Sequence, residues 1–148
     1  MIVNNPHTDI NKIDSHGVNS FWVAAFYGHV EIMRYLISKG IDIMSRNQNG
    51  SNALHIAVKK ENVKIIKALV DLKYPLNYTK NNGVSAVGIA AFKGNTQILD
   101  LLYREGADIN LTSKMGAGPL YLAIKMDRLE CVKYLVERNA FVHLYDQT

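Results

Sequence analysis

The chain repeats itself every 33 residues, and this repeat constrains its fold more than any other feature. Three kinds of residue recur at the spacing without exception: Gly17, Gly50, Gly83 and Gly116; Ala24, Ala57, Ala90 and Ala123; Leu36, Leu69, Leu102 and Leu135. Invariant positions over four copies predict four units of one supersecondary structure. We place these units at residues 14–46, 47–79, 80–112 and 113–145, with residues 7–13 as a partial unit before them.

Each unit is predicted to contain two short helices and an extended stretch. Asn19, Asn52, Ser85 and Gly118 share one aligned position, and all four are residue types that favour a helix N-cap. An apolar first helix then runs to a turn, where Gly28 suits a left-handed backbone. The second helix has apolar residues at helical spacing. Because two short helices cannot bury a core alone, we expect the units to stack into an all-α solenoid.

The unit resembles an ankyrin repeat. The family's Thr-Pro-Leu-His element is present in altered form as NSFW, NALH, SAVG and GPLY, starting at residues 19, 52, 85 and 118. Its Gly-Ala-Asp-Val-Asn element is present as GADIN at 106–110, GIDIM at 40–44 and HTDIN at 7–11. Only His55 retains the family's histidine; Trp22, Gly88 and Tyr121 replace it. The resemblance implies stacked helix-turn-helix units joined by short hairpin-like loops, and a non-enzymatic scaffold or adaptor for protein partners.

Composition excludes several other classes of protein. Hydrophobic residues make up 48% of the chain, which argues against disorder. One cysteine cannot form an internal disulfide, and no apolar run approaches the ~20 residues that span a bilayer. The first ten residues lack the pattern of a signal peptide. We therefore expect an intracellular protein, cytoplasmic with the nucleus as the alternative.

No pattern of residues indicates catalysis, a cofactor or a metal. Cys131 aligns with Ile32, Ile65 and Ile98, which predicts a core position for the thiol rather than a nucleophile. The five histidines occupy different positions in the repeat and have no zinc-ligand spacing. The glycines follow the 33-residue period and do not spell a phosphate-binding loop.

The family resemblance implies a concave groove formed by the loop tips and the first helices. Carried over by alignment, the predicted partner-binding residues are His16, Val18, Phe26, Tyr27, Arg46, Gln48, Asn49, Lys59, Lys60, Asn81, Asn82, Val84, Phe92, Lys93, Lys114, Met115, Lys125 and Met126. Six of these are basic and none is acidic, whereas acids such as Glu31 and Asp100 fall on second helices. We therefore predict a partner with an acidic segment and apolar anchors.

Two alternatives remain open at this stage. The chain could be a regulatory or targeting segment of a larger enzyme or channel. The basic groove could also bind nucleic acid, although the net charge of +4 is small and no motif for base recognition is present. The partial match at residues 7–11, the match of residues 146–148 to the start of a fifth unit, and the apolar tail suggest a segment of a longer array or one shielded by a neighbour.

Overall fold

The computed structural model describes residues 9–142, which form four pairs of α-helices. The first helices of the pairs are α1 (Ser20–Tyr27), α3 (Ala53–Lys59), α5 (Ala86–Lys93) and α7 (Pro119–Lys125). The second helices are α2 (Val30–Ser38), α4 (Val63–Asp71), α6 (Thr96–Arg104) and α8 (Leu129–Glu137). Within the described range the only β pairing is an isolated bridge between Thr79 and Ser85. The predicted all-α repeat solenoid is confirmed, while the predictions for residues 7, 8 and 143–148 lie outside the described residues.

The predicted N-caps begin the first helices. The side chains of Asn19, Asn52 and Ser85 accept hydrogen bonds from backbone N–H groups three residues later. Gly118 has no side chain to do this, but Pro119 follows at the first helical position, where its missing N–H costs nothing. Each first helix therefore begins at the same point in its unit.

The turns between paired helices all require a left-handed residue. Gly28 and Gly94 supply it at φ of 81° and 77°, whereas Glu61 and Asp127 adopt φ of 56° with a side chain present. A non-glycine residue in this region costs about 1–2 kcal/mol. The repeat therefore imposes its turn geometry even where the local residue type opposes it.

Successive units pack mainly through their first helices. Each first helix contacts the next along the stack, and these contacts are more extensive than those between neighbouring second helices. The recurring alanines at positions 24, 57, 90 and 123 are all buried and let these helices approach closely. The first helices and the loops that precede them therefore lie along one side of the stack. No helix within residues 9–142 is both long and apolar enough to cross a bilayer.

Candidate functional site

The candidate site is the surface formed by the C-terminal ends of the first helices and by the hairpin loops at residues 14–18, 47–51, 80–84 and 113–117, which we call the groove. Twelve of the predicted partner-binding residues are exposed there: His16, Tyr27, Gln48, Asn49, Lys59, Lys60, Asn81, Asn82, Phe92, Lys114, Met115 and Lys125. Five are half-buried: Phe26, Arg46, Val84, Lys93 and Met126. Val18 is only 3% exposed, so it supports the groove from beneath and does not present a side chain to a partner.

A concavity lies at the first-unit end of the groove, which we call the aromatic pocket. It has a volume of about 490 Å³ and joins the first two hairpin loops to α1. Its apolar lining comes from α1 and the loop before it: Val18, Trp22, Val23, Phe26 and Tyr27. Its polar rim comes from both loops: Asp14, His16, Asn47, Gln48 and Asn49. The structure thus brings loop and helix residues from two units into one site.

The aromatic rings of the pocket contact one another in series. Trp22 and Phe26 lie parallel with ring centroids 5.5 Å apart, and Phe26 meets Tyr27 edge to face at 4.9 Å. From the second unit, the Lys60 ammonium lies 3.8 Å from the centre of the Phe26 ring, a cation–π geometry. Lys60 was predicted as a groove cation, but its charge is directed onto this ring.

Trp22 occupies the position that His55 has in the second unit, but it makes a different hydrogen bond. Its indole Nε1 donates to the carbonyl oxygen of Ser51 in the next unit at 2.8 Å. His55 instead bonds within its own unit, where Nε2 lies 2.8 Å from the Tyr78 carbonyl oxygen while Nδ1 accepts from the Asn52 N–H. Burial lowers the pKa of His55 to about 4. Trp22 therefore ties neighbouring units together, whereas His55 joins the helix start and the end of its own unit.

Several predicted contact residues also bind the hairpin loops to one another. The Asn81 side chain donates to the Gln48 carbonyl at 2.8 Å, and the Gln48 side chain donates to the Ser15 carbonyl at 3.2 Å. Arg46 donates to the carbonyls of Gly50 and Thr79. Arg46 therefore acts first as a bridge between loops, a role that alignment did not reveal. These bonds hold the loop tips in a fixed row.

The charge of the groove is uneven along its length. Lys59, Lys93, Lys114 and Lys125 make no ion pair with any acid in the described part of the chain. The outer helices carry four ion pairs, such as Arg104 with Asp100 at 2.9 Å. The groove's free positive charge therefore lies mainly along the second to fourth units.

Sequence reasoning missed one acid at the groove. Asp14 lies at the rim of the aromatic pocket, and its Oδ1 accepts from the N–H groups of Val18 at 3.1 Å and His16 at 2.8 Å. The Val18 bond, with smaller contributions from His16, lowers the pKa of Asp14. Asp14 aligns with Asn47 and Ser113, which cap their loops in the same way. This alignment could have placed Asp14 in the first hairpin loop, at the groove.

Cys131 packs in the core, as the alignment predicted. It is 1% exposed, and its Sγ lies 3.5 Å from Thr96 Oγ1 of the preceding unit. Ile65 and Ile98 are buried likewise, but Ile32 is 51% exposed, because that position packs against a preceding helix pair and none precedes α1 among the described residues. Within residues 9–142 no cluster of three metal-ligating side chains occurs.

Comparison with known families agrees with this geometry. A family model described as "Ankyrin repeats (3 copies)" matches residues 1–80 and again residues 72–146. A search of curated proteins finds no significant match. Together the two family matches extend over nearly the whole chain.

Proposed function

We propose that this chain, which belongs to the ankyrin-repeat family, is a scaffold or adaptor that binds a protein partner in its groove. Ankyrin repeats are protein-interaction modules and are generally without enzymatic activity. An intracellular, cytoplasmic location is part of this proposal and accords with the single buried thiol.

The observation that carries the proposal is the contrast between the two faces of the solenoid. On the outer face, acids such as Glu31 and Glu130 pair with basic residues one turn away. In the groove, Lys59 and Lys125 are exposed, lack acidic partners and share the surface with the exposed Phe92 ring. Positive charge beside aromatic groups supports an acidic partner with apolar anchors, because aromatic residues carry much of the binding energy at interfaces.

A pair of charge-reversal variants tests the proposal. Lys59→Glu with Lys125→Glu alters the groove, whereas Lys64→Glu with Lys67→Glu makes the same change of charge on the exposed outer surface of α4. Each form is used to capture proteins from cell extract, and each captured protein is purified and titrated directly. We expect a partner whose affinity falls at least about tenfold for the groove variant and falls with rising salt.

The outer variant should bind that partner as the wild type does, and melting curves establish that both variants are folded. Equal loss of affinity in the two variants would contradict the proposal, and so would binding that ignores ionic strength. Preferential retention of nucleic acid at physiological salt would favour the nucleic-acid alternative instead.

A further inference from the structure

Among the units of residues 9–142, only the first has the aromatic residues that line the aromatic pocket. In the first unit the ring centroids of Trp22 and Phe26 lie 5.5 Å apart, and those of Phe26 and Tyr27 lie 4.9 Å apart. The positions aligned with Trp22 and Tyr27 lack this combination in the other units: His55 and Lys60, Gly88 and Lys93, Tyr121 and Met126. The groove therefore has an aromatic cluster at its first-unit end, whereas these two positions hold both polar and apolar residues in the other units.

The pocket has a rigid floor and open walls. Val18 and Trp22 are buried and form a small apolar cluster with Ile56, on which Phe26 packs. Val23 and Tyr27 remain 37% and 65% exposed on α1, above that floor. A volume of about 490 Å³ is enough to hold a large side chain, and falls within the usual range of ligand pockets. An apolar group that enters would cover Tyr27 and Val23 without displacing buried residues.

Charge divides the groove into two ends. Asp14 places a carboxylate at the pocket rim, where it would repel an acidic residue. Beyond the pocket, Lys59 on α3, Lys93 on α5 and Lys125 on α7 succeed one another at the C-terminal ends of the first helices. Helices that pack at about 8–10 Å place α3 and α7 roughly 20 Å apart, which an extended chain covers in about six residues.

We propose that the aromatic pocket seats a single aromatic side chain of the partner, and that the acidic residues flanking this anchor lie along the lysines of the second to fourth units. The inference rests on the proposed function. It adds a binding site for the aromatic anchor and a direction in which the partner segment lies along the groove. Asp14 disfavours an acid at the rim next to the first loop, and the lysines of the second to fourth units attract acids, so an anchored acidic segment favours one direction along the groove.

Synthetic peptides provide the test, since they need no identified partner. The probe has a tryptophan, a glycine and seven acidic residues, because α1 and α7 lie roughly 27 Å apart, and it carries a spin label at the acidic end. The matched controls are the same peptide with alanine in place of tryptophan, and one with lysines in place of the acids. Binding is followed by backbone amide NMR of the full chain.

We expect the anchored acidic peptide to bind at least about tenfold more tightly than the alanine peptide, and the lysine peptide to bind more weakly than both. Its tryptophan should shift the signals of Val23, Tyr27 and the Trp22 indole. The spin label should broaden amides near Lys125 and not those near Asp14. Tyr27→Ala should remove most of the advantage of the anchor, whereas Tyr78→Ala, at an exposed tyrosine outside the groove, should not.

The outcomes separate this inference from the proposed function. If both acidic peptides bind the groove equally and Tyr27→Ala has no effect, the anchor seat is wrong while the acidic-partner proposal stands. Broadening near Asp14 would overturn the proposed direction. If neither acidic peptide binds, or if the lysine peptide binds best, the acidic-partner proposal and the inference both fail.

Discussion

Met44 and Pro75 together interrupt a chain of hydrogen bonds that links each unit to the next. Asn11, Asn77 and Asn110 occupy the position of Met44 in other units, and each accepts from a backbone N–H 31 residues later at 2.7–2.9 Å. The corresponding donor for Met44 would be residue 75, and proline has no N–H. The one junction of units that lacks the acceptor therefore also lacks the donor, so no N–H is left unpaired at residue 75.

This relationship predicts coupling between the two positions. Met44→Asn alone should destabilise the protein, because the half-buried Met44 packs against the core. Pro75→Asp alone should have a small effect at its exposed site. In a double-mutant cycle measured by urea unfolding, the pair should regain about 1 kcal/mol relative to the sum of the single changes. A coupling energy of zero would show that the bond does not form.

The buried His55 predicts a specific dependence of stability on pH. Burial lowers its folded-state pKa to about 4, below the unfolded value of 6.5. Between these values only the unfolded chain takes up the proton, so the free energy of unfolding should fall as the pH drops from 6.5 towards 4, by up to about 1.4 kcal/mol per pH unit. Below pH 4 the loss should level off.

The prediction is tested by measuring urea unfolding of the wild type and of two histidine variants at several pH values between 4 and 6.5. His55→Gln should flatten the pH dependence relative to the wild type, whereas His29→Gln, at an exposed position, should leave it unchanged. A slope that survives His55→Gln would assign the effect to other groups.

Lys73 predicts a stabilising substitution. It follows α4 with φ of 59°, its side chain is exposed, and a left-handed lysine is strained. Lys73→Gly should raise the free energy of unfolding by about 0.5–1 kcal/mol. Lys67→Gly, within the same helix α4, should instead lower it by about 1 kcal/mol. Thermal melts of the two variants should therefore move in opposite directions, and a destabilised Lys73→Gly would count against strain at this residue.

The Tyr74 hydroxyl leads to a second prediction of a substitution that stabilises the protein. Its oxygen is buried and makes no hydrogen bond of full geometry within the described residues; burial raises its pKa, and the nearby Ala53 backbone offsets this only in part. Tyr74→Phe should therefore raise the free energy of unfolding by about 1 kcal/mol. Tyr134→Phe is the matched control, since the Tyr134 hydroxyl donates to Asp100 Oδ1 at 2.8 Å and its loss should destabilise. Similar changes in both variants would show that hydrogen bonding does not distinguish the two hydroxyls.

Most of the fold could be predicted because the repeat supplies several independent signals for each element. The caps at Asn19 and Asn52, the turn at Gly28 and the burial of Cys131 all follow from aligned positions. Each depends on a local conformation or on packing that the units share. A cap, turn or buried position recognised in one unit therefore predicts the same feature at the aligned positions of the others.

The parts of the site that alignment did not reveal depend on differences between units. Lys60 lies over Phe26 only because the first unit has an aromatic residue where the second has Lys59. Val18 is buried because the large Trp22 packs beside it, whereas the aligned Val84 stands near Gly88 and stays half-buried. The first contact joins neighbouring units and the second lies within one unit, but both depend on two side chains, so a single aligned position does not predict them.

The most direct test of the central claim is hydrogen–deuterium exchange of the intact chain with and without a purified direct partner. We predict that the partner slows exchange in the hairpin loops at residues 47–51 and 80–84 and at the C-terminal ends of α1, α3 and α5. The second helices α2, α4 and α6 should exchange as in the free protein. Protection confined to those second helices, with unchanged loops, would contradict the assignment of partner binding to the groove.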